Sequence, residues 1–443
     1  MPTPTRRLRT ALLVSLTVAP MPPLVAQGLT GTERRITAAV EAGVADATAL
    51  LERTVNINSG SLNLEGVRAV GGIFRTEFNR LGFTTRWVDG AAWGRAGHLL
   101  AERRGHGRGP RILLIGHLDT VFEADSPFQR YTAISPERAR GPGTTDMKGG
   151  NVVMLLALRA LAETGQLDDL QIQVVLIGDE EDSGDPLELA RKDLIAAAEW
   201  ADIAMGFEDG DGNPATAVIG RRGSTSWILR TTGRPAHSSQ IFREGYGSGA
   251  IFEAARILSA FHDSLSAEPN LTFNPGAIVG GTAVTFDPVE NRGTAFGKTN
   301  VIAEQAVVAG DLRTLTPEQL ASAKLRMTAI VAQHHAETGA TIEFHDSYPP
   351  LAPTDGNRQL LARLGQVSQD QGGGPVAAVD PARAGAADIS FTAGLVEMAL
   401  DGVGLMGTGG HTVEETADLT TLPLQAGRVA VLLHRLARGQ PGA

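Results

Sequence analysis

The feature that most constrains this chain is a nine-residue, largely apolar run, Leu170–Gly178 (LQIQVVLIG), that stops against four consecutive acids, Asp179-Glu180-Glu181-Asp182. An isolated acidic run is usually a solvated loop. One that closes a buried strand is different, because like charges held out of water repel unless a cation or a proton offsets them. The arrangement recurs along the chain. Arg111–Gly116 (RILLIG) reads as a short buried strand leading into His117-Leu118-Asp119, and Ile203–Phe207 (IAMGF) leads into Glu208-Asp209. Helical patterns lie around these strands, at Thr32–Asn56 and at Asn151–Glu163, the latter opened by Gly149-Gly150. Strands alternating with helices predict an α/β domain with a largely parallel sheet. Loops leaving such strands converge on one edge, so His117, Asp119, Glu180, Glu181 and Glu208 can meet in space.

Two further segments bear on the same edge. Gly141–Gly150 (GPGTTDMKGG) is a tight turn whose Asp146 either caps the following helix or bridges two cations. Gly409-Gly410-His411 offers a second histidine on a glycine-rich loop. In an extended segment His117 and Asp119 point to the same side, so the carboxylate can orient the imidazole. Two histidines with several carboxylates, each at a strand end, suit zinc held by nitrogen and oxygen. Two ions roughly 3.5–4 Å apart share a bridging carboxylate and a bridging water. A glutamate that binds neither ion can take that water's proton and pass it to a leaving amine.

After Gly220–Gly223 the pattern changes. Ser226–Thr232, Asn270–Val279, Val301–Leu312 and Thr341–His345 read as strands, with helices near Gly249–Leu265 and Pro317–Glu337. That is an insertion of about 120 residues, enough for its own core. The α/β pattern resumes after Pro353. At the start, Arg6, Arg7 and Arg9 precede an apolar stretch, Ala11–Ala26, broken by Pro20, Pro22 and Pro23. This is the shape of a signal peptide cut after Ala26, placing the protein in the periplasm or outside the cell. The absence of cysteine fits export. A formal charge of −10 argues against a nucleic-acid partner, and no later segment runs long enough without charge to span a membrane.

Taken in order, GHLDTV, GPGTTDMKGG, GDEEDSG, GFEDGDG, GRPAHSS, GKTNVIAE, GDLR and GGHTVEE extend over essentially the whole chain after the leader. With these motifs the chain resembles the co-catalytic zinc exopeptidases and deacylases that include glutamate carboxypeptidase (the carboxypeptidase G type), acetylornithine deacetylase and succinyl-diaminopimelate desuccinylase. The resemblance implies an α/β, zinc-exopeptidase (phosphorylase/hydrolase-like) catalytic domain with a mixed, mostly parallel sheet. It also implies an inserted ferredoxin-like α+β lid and dimerisation domain. The expected division is a signal peptide at 1–26, the catalytic domain at 27–222 and 348–443, and the lid at 223–347.

The same resemblance implies two Zn²⁺ ions per subunit, one on His117, Asp146 and Glu208, the other on Asp146, Glu181 and His411. Asp146 would be the bridge, followed by a cis peptide, and Glu180 the general base, with Asp119 supporting His117. His237 would polarise the scissile carbonyl, reaching into the partner subunit's site of a homodimer. Asn300 and Arg313 would hold the substrate's carboxylate or carbonyl, as a planar guanidinium can. The loop 383–388, with Gly385, corresponds to a substrate loop but is richer in alanine, and Asp209 competes with Glu208 as ligand. The implied activity is release of a C-terminal amino acid from a peptide or an N-acyl-amino acid. An aminopeptidase or dipeptidase on the same scaffold, and an inactive zinc- or solute-binding protein, are the alternatives; Glu180 argues against the last, since a binder needs no base. Glu414 and Glu415 are expected to cap or solvate a helix after His411, and the remaining histidines to be surface or core residues.

Overall fold

The computed structural model describes residues 28–288 and 290–439, so the expected signal peptide lies outside the described residues. The first helix, α1 (Gly31–Val55), starts at a capping box: the Thr30 hydroxyl accepts from the Glu33 amide at 3.2 Å, and the Glu33 carboxylate accepts from the Thr30 amide at 2.7 Å. In chain order there follow α2 (Leu64–Arg80), β1 (Thr84–Asp89), β2 (Gly97–Arg104), β3 (Arg111–His117), α3 (Lys148–Glu163), β4 (Gln171–Ile177), α4 (Lys192–Trp200) and β5 (Ile203–Gly206). Next come β6 (Thr225–Gly233), α5 (Ala250–Leu265), β7 (Thr272–Gly281), β8 (Gln305–Arg313), α6 (Pro317–Val331), β9 (Thr338–Asp346), α7 (Asp355–Asp370), β10 (Met398–Leu400) and α8 (Thr421–Arg438).

The central sheet has the order β1-β2-β4-β3-β5-β10. Its four strands β4, β3, β5 and β10 are parallel, while β1 and β2 are antiparallel additions at one side. Helices α1, α3 and α8 pack together on one face, with Val152, Met154, Leu155 and Leu158 in the shared core. On the other face Leu194, Ala197 and Ala198 of α4 meet Leu113, Ile115, Val175 and Ile177. Strands β3 and β4 are therefore covered on both sides, which is why they read as nearly unbroken apolar runs. β1 has no such run, because its residues are exposed or half-buried.

The inserted segment forms its own antiparallel sheet, β7-β8-β6-β9, with α5 and α6 against it. Its β-α-β-β-α-β order is the ferredoxin-like arrangement. A separate core of Trp227, Leu229, Ile257, Phe261, Val308, Leu312 and Met327 holds it together. Two local expectations need correction. The helix at Pro317 ends at Val331 rather than Glu337, and the strand expected from Val301 begins at Gln305. A hairpin, Ala283–Asp287 with Arg292–Phe296, adds to this unit. Two neighbouring segments carry the chain between the units: Arg221 pairs with Leu351 in an isolated bridge, and the Ser224 amide donates to the Tyr348 carbonyl at 2.8 Å. Among the described residues, no helix is long and apolar enough to cross a membrane.

Candidate metal centre

The site is assembled at the C-terminal edge of β3, β4 and β5. His117 is the last residue of β3; Glu180 and Glu181 follow β4; Glu208 follows β5. The Gly149-Gly150 pair lets the α3 terminus come close. A Cβ on Gly150 would stand 1.9 Å from the Phe207 carbonyl oxygen, and one on Gly149 2.1 Å from that of Thr144. The turn before α3 thus packs against both neighbouring segments, presenting Asp146 to the sheet edge. The Asp146–Met147 peptide is cis. Lys148, fully buried, donates to the Ile57 carbonyl at 3.0 Å, and burial pulls its pKa down to about 7.

Two groups of ligand-type atoms form here, each with its atoms within 4.8 Å of one another: His117, Asp146 and Glu208, and Asp146, Glu181 and His411. Asp146 belongs to both. Its Oδ1 lies 2.9 Å from His117 Nε2 and its Oδ2 2.9 Å from His411 Nε2. Glu208 Oε1 is 3.7 Å from His117 Nε2, and Glu181 Oε2 3.2 Å from His411 Nε2. Glu208, not Asp209, is the residue brought into the group; Asp209 is pushed up to about 7 by burial and by Asp146. Glu180 stands in neither group.

The charges explain why this arrangement wants cations. Burial and Asp146 push Glu181 up to about 7, and burial raises Glu180 and Glu208 well above the usual carboxylate range. Hydrogen bonds donated to Asp146 and Glu181 lift His411 to about 11. At His117 burial works toward the neutral ring, but Asp119 and Asp146 reverse it and raise the pKa well above normal. Glu181 Oε1 is buried without a hydrogen-bond partner among the described residues. Nitrogen and oxygen donors in two sets of three, with a shared carboxylate and a buried unpaired oxygen, fit a pair of divalent ions. His411 adopts a positive φ of 61°, a strained conformation for a non-glycine residue and one that tends to mark functional sites.

Asp119 does more than face His117. His117 Nδ1 is 3.3 Å from Asp119 Oδ1 and 3.1 Å from its carbonyl oxygen. The carboxylate also accepts the amides of Glu180 at 3.1 Å and Glu181 at 3.0 Å, and the Ser61 hydroxyl at 2.6 Å. One buried acid therefore orients both the histidine and the acidic loop. Ser61 carries no signal of its own in the sequence, where it is one polar residue in a Ser/Gly/Asn turn.

The residues expected on the inserted unit are not joined to this cluster. His237 is exposed, with Nδ1 2.9 Å from Ser239 Oγ. It sits beside the Asn300 segment, whose carbonyl accepts the Ser238 amide at 2.9 Å. Arg313 lies at the far end of β8, its Nε donating to Asp311 at 2.8 Å. Gly385 is exposed, and its carbonyl accepts from Arg221 at 2.8 Å. The expectation for Glu415 was wrong. No helix starts directly after His411; the chain first enters a short strand, Thr416–Asp418, and α8 begins only at Thr421. Glu415 is buried and accepts the amides of Thr145 at 2.8 Å, Asp146 at 3.2 Å and Gly143 at 3.0 Å. Glu414 is the exposed member, paired with Arg140. A third supporting acid, Asp401, accepts the Glu208 amide at 3.2 Å and pairs with buried Arg221 at 2.8 Å. Neither Asp401 nor Arg221 lies in a motif, so only the fold reveals them.

Comparison with known proteins gives a concordant picture. The family model described as Peptidase family M20/M25/M40 matches residues 113–435. Carboxypeptidase G2 of Pseudomonas sp. (strain RS-16) is 25% identical over 397 residues, covering 88% of this chain and 89% of that protein. The structure of aminopeptidase PepT from Bacillus cereus is similar with a TM-score of 0.67 and 18% identity, over 89% of this chain and 99% of that one. A dinuclear metal-binding peptidase of the M20 family from Bacillus subtilis is similar with a TM-score of 0.63 and 15% identity, over 90% and 99%.

Proposed function

The chain belongs to peptidase family M20/M25/M40 and is a hydrolase, and from that premise we propose that it uses two zinc ions to cleave an amide bond, releasing a C-terminal amino acid from a peptide or N-acyl-amino acid. The observation that carries this reading is the division of Asp146 between two ligand groups while Glu180 remains outside both. His117, Asp146 and Glu208 would hold one ion, and Asp146, Glu181 and His411 the other. When bound, the ions supply Lewis acidity toward the scissile carbonyl and lower the pKa of the attacking water. Glu180 takes that water's proton and delivers it to the leaving amine. Asp119 keeps His117 and the 180–181 loop in place while it does so. Carboxypeptidase G2, similar over most of both chains, favours a substrate with a free carboxylate beside the scissile bond. In this reading the basic leader at 1–26 directs the protein to the periplasm or beyond.

A homodimer completes the reading. His237 and Asn300 lie before the start of β8 and Arg313 at its end, and β8 itself, Gln305–Arg313, spans about 27 Å of extended chain. One site cannot use both ends of that sheet from a single chain, but a site that borrows His237 from a second copy can. A surface for that copy exists beside the outer strand β7. Phe242, Phe252, Ile251, Ile278 and Phe296 are all exposed there, with Phe242 and Phe252 rings 5.6 Å apart and Ile251 packed over Gly280. An apolar patch beside an unpaired strand edge is the usual mark of an interface. Light scattering after size exclusion should give twice the chain mass, and Phe242→Asp should give monomer; a monomeric wild type would refute the dimer.

An aminopeptidase is the second reading, favoured by Asp311 beside Arg313, since a carboxylate is what a substrate's free amine requires. Dipeptides blocked at one end or the other separate the two. The carboxypeptidase reading predicts turnover with a blocked amine and none with a blocked carboxylate; the reverse pattern would overturn it.

A further inference from the structure

Arg191 is completely buried, yet the chemistry above makes no use of it. Burying a guanidinium is costly unless its donors are met, and here both terminal nitrogens find acceptors. Nη1 reaches Asp179 Oδ1 at 2.8 Å; Nη2 reaches the Asp179 carbonyl at 3.0 Å, Ser183 Oγ at 2.9 Å and the Tyr348 hydroxyl at 3.0 Å. Its Nε lies 2.9 Å from Asp388 Oδ1, close enough for charge pairing though not aligned as a hydrogen bond. The rings of Tyr348 and Phe391 flank the cation at 5.7 and 5.6 Å and contact each other at 5.1 Å. One cation therefore ties together the acidic loop after β4, the segment returning from the inserted unit, and the loop ending at Asp388.

The consequence falls on Glu180. Tyr348, accepting from Arg191, donates its own proton to the Glu180 carbonyl at 2.9 Å. On the other side Asp119 accepts the Glu180 amide. Both peptide groups flanking the Glu180 Cα are thereby fixed by buried or half-buried side chains. No side-chain hydrogen bond holds the Glu180 carboxylate itself among the described residues, so its aim depends on its backbone. Tyr348 is a dependable donor here, because burial and Asp388 raise its pKa well above normal and keep its proton on the oxygen.

We propose that Tyr348, held by the Arg191 that Asp388 pairs with, is a positioning residue that fixes the general base Glu180 through its carbonyl. Its place in the chain adds a coupling. Tyr348 pairs with Ser224 where the two connecting segments run side by side, so the orientation of the base is set from the junction that carries the inserted unit. The inference rests on the reading of Glu180 as base.

Tyr348→Phe in the full-length, metal-loaded enzyme is the test, because it keeps the ring against Phe391 and Arg191 and removes one hydroxyl. The expected result is a kcat about tenfold lower with KM and metal content unchanged, a loss of about 1.4 kcal/mol in the transition state. A kcat within twofold of wild type would overturn the proposal, and so would a parallel change in KM, metal content and midpoint, which a merely structural tyrosine would give. Glu180→Gln assayed alongside separates the two claims. If it is inactive while Tyr348→Phe behaves as wild type, positioning alone fails; if it retains wild-type turnover, the base assignment fails and this inference with it.

Discussion

Removing Glu415 should damage the protein in a graded way that depends on which of its oxygens survives. Oε1 accepts the amides of Thr145 and Asp146, and Oε2 accepts that of Gly143, all in buried surroundings. A hydrogen bond to a charged acceptor contributes about 1.5–3 kcal/mol, and a buried donor left unmet costs about 1–3 kcal/mol. Glu415→Ala strands three amides, so the expected destabilisation is about 3–9 kcal/mol. Glu415→Gln keeps Oε1 for Thr145 and Asp146 and turns an NH₂ toward Gly143, so its cost should stay near one unmet donor, about 1–3 kcal/mol. Urea unfolding followed by circular dichroism, with chelator present so that ion binding does not mask the difference, reads both values as shifts in midpoint at constant slope. The same variants should lose metal affinity in the same order, because the freed turn carries Asp146. An alanine variant within about 1 kcal/mol of wild type, or a glutamine variant no better than alanine, would refute the view that Glu415 builds this turn.

Three further outcomes follow from the structure. Glu77, buried among Arg53, Arg80 and Arg159, has a pKa that burial would raise but that Arg159 and Arg80 hold below its ordinary 4.5. The stability it adds is full above the unfolded value and disappears as pH falls through the folded one, so Glu77→Gln should flatten the acid limb of stability below pH 4.5 in denaturant titrations. Chelation should lower the thermal midpoint of the wild type by several degrees, since anything bound only to the folded state stabilises it; a midpoint moved by less than about 1 °C would contradict the site. Asp119→Asn should reduce kcat more than it raises KM in steady-state assays, because the change disturbs the residues around Glu180 rather than substrate contacts.

How much of this was legible in the sequence differs by element. The two-sided burial of β3 and β4 writes itself as apolar runs, and the acids at their ends stand out because they interrupt those runs. His117, Glu181 and Glu208 could be collected for that reason, and Asp146 and His411 through the glycine-rich turns that carry them; that Gly149 and Gly150 also admit the Thr144 and Phe207 carbonyls is visible only in the fold. Strand β1 left no pattern because it borders the sheet and has no fully buried position. Glu415, Asp401 and Arg221 were illegible for another reason: each acts through backbone groups or ion pairs across more than a hundred residues of chain, with no local signature. Arg191 lies in no motif, and only the fold shows it enclosed by Asp179, Tyr348 and Asp388.

The central claim is that five residues hold two ions while Glu180, among them in space, holds none. Metal content and turnover of Glu180→Gln, measured on the same preparation, test it most directly. The account predicts two equivalents of metal per chain, as in the wild type, with turnover reduced by a factor on the order of 10² to 10⁴. Loss of an ion in this variant, or turnover close to that of the wild type, would contradict it.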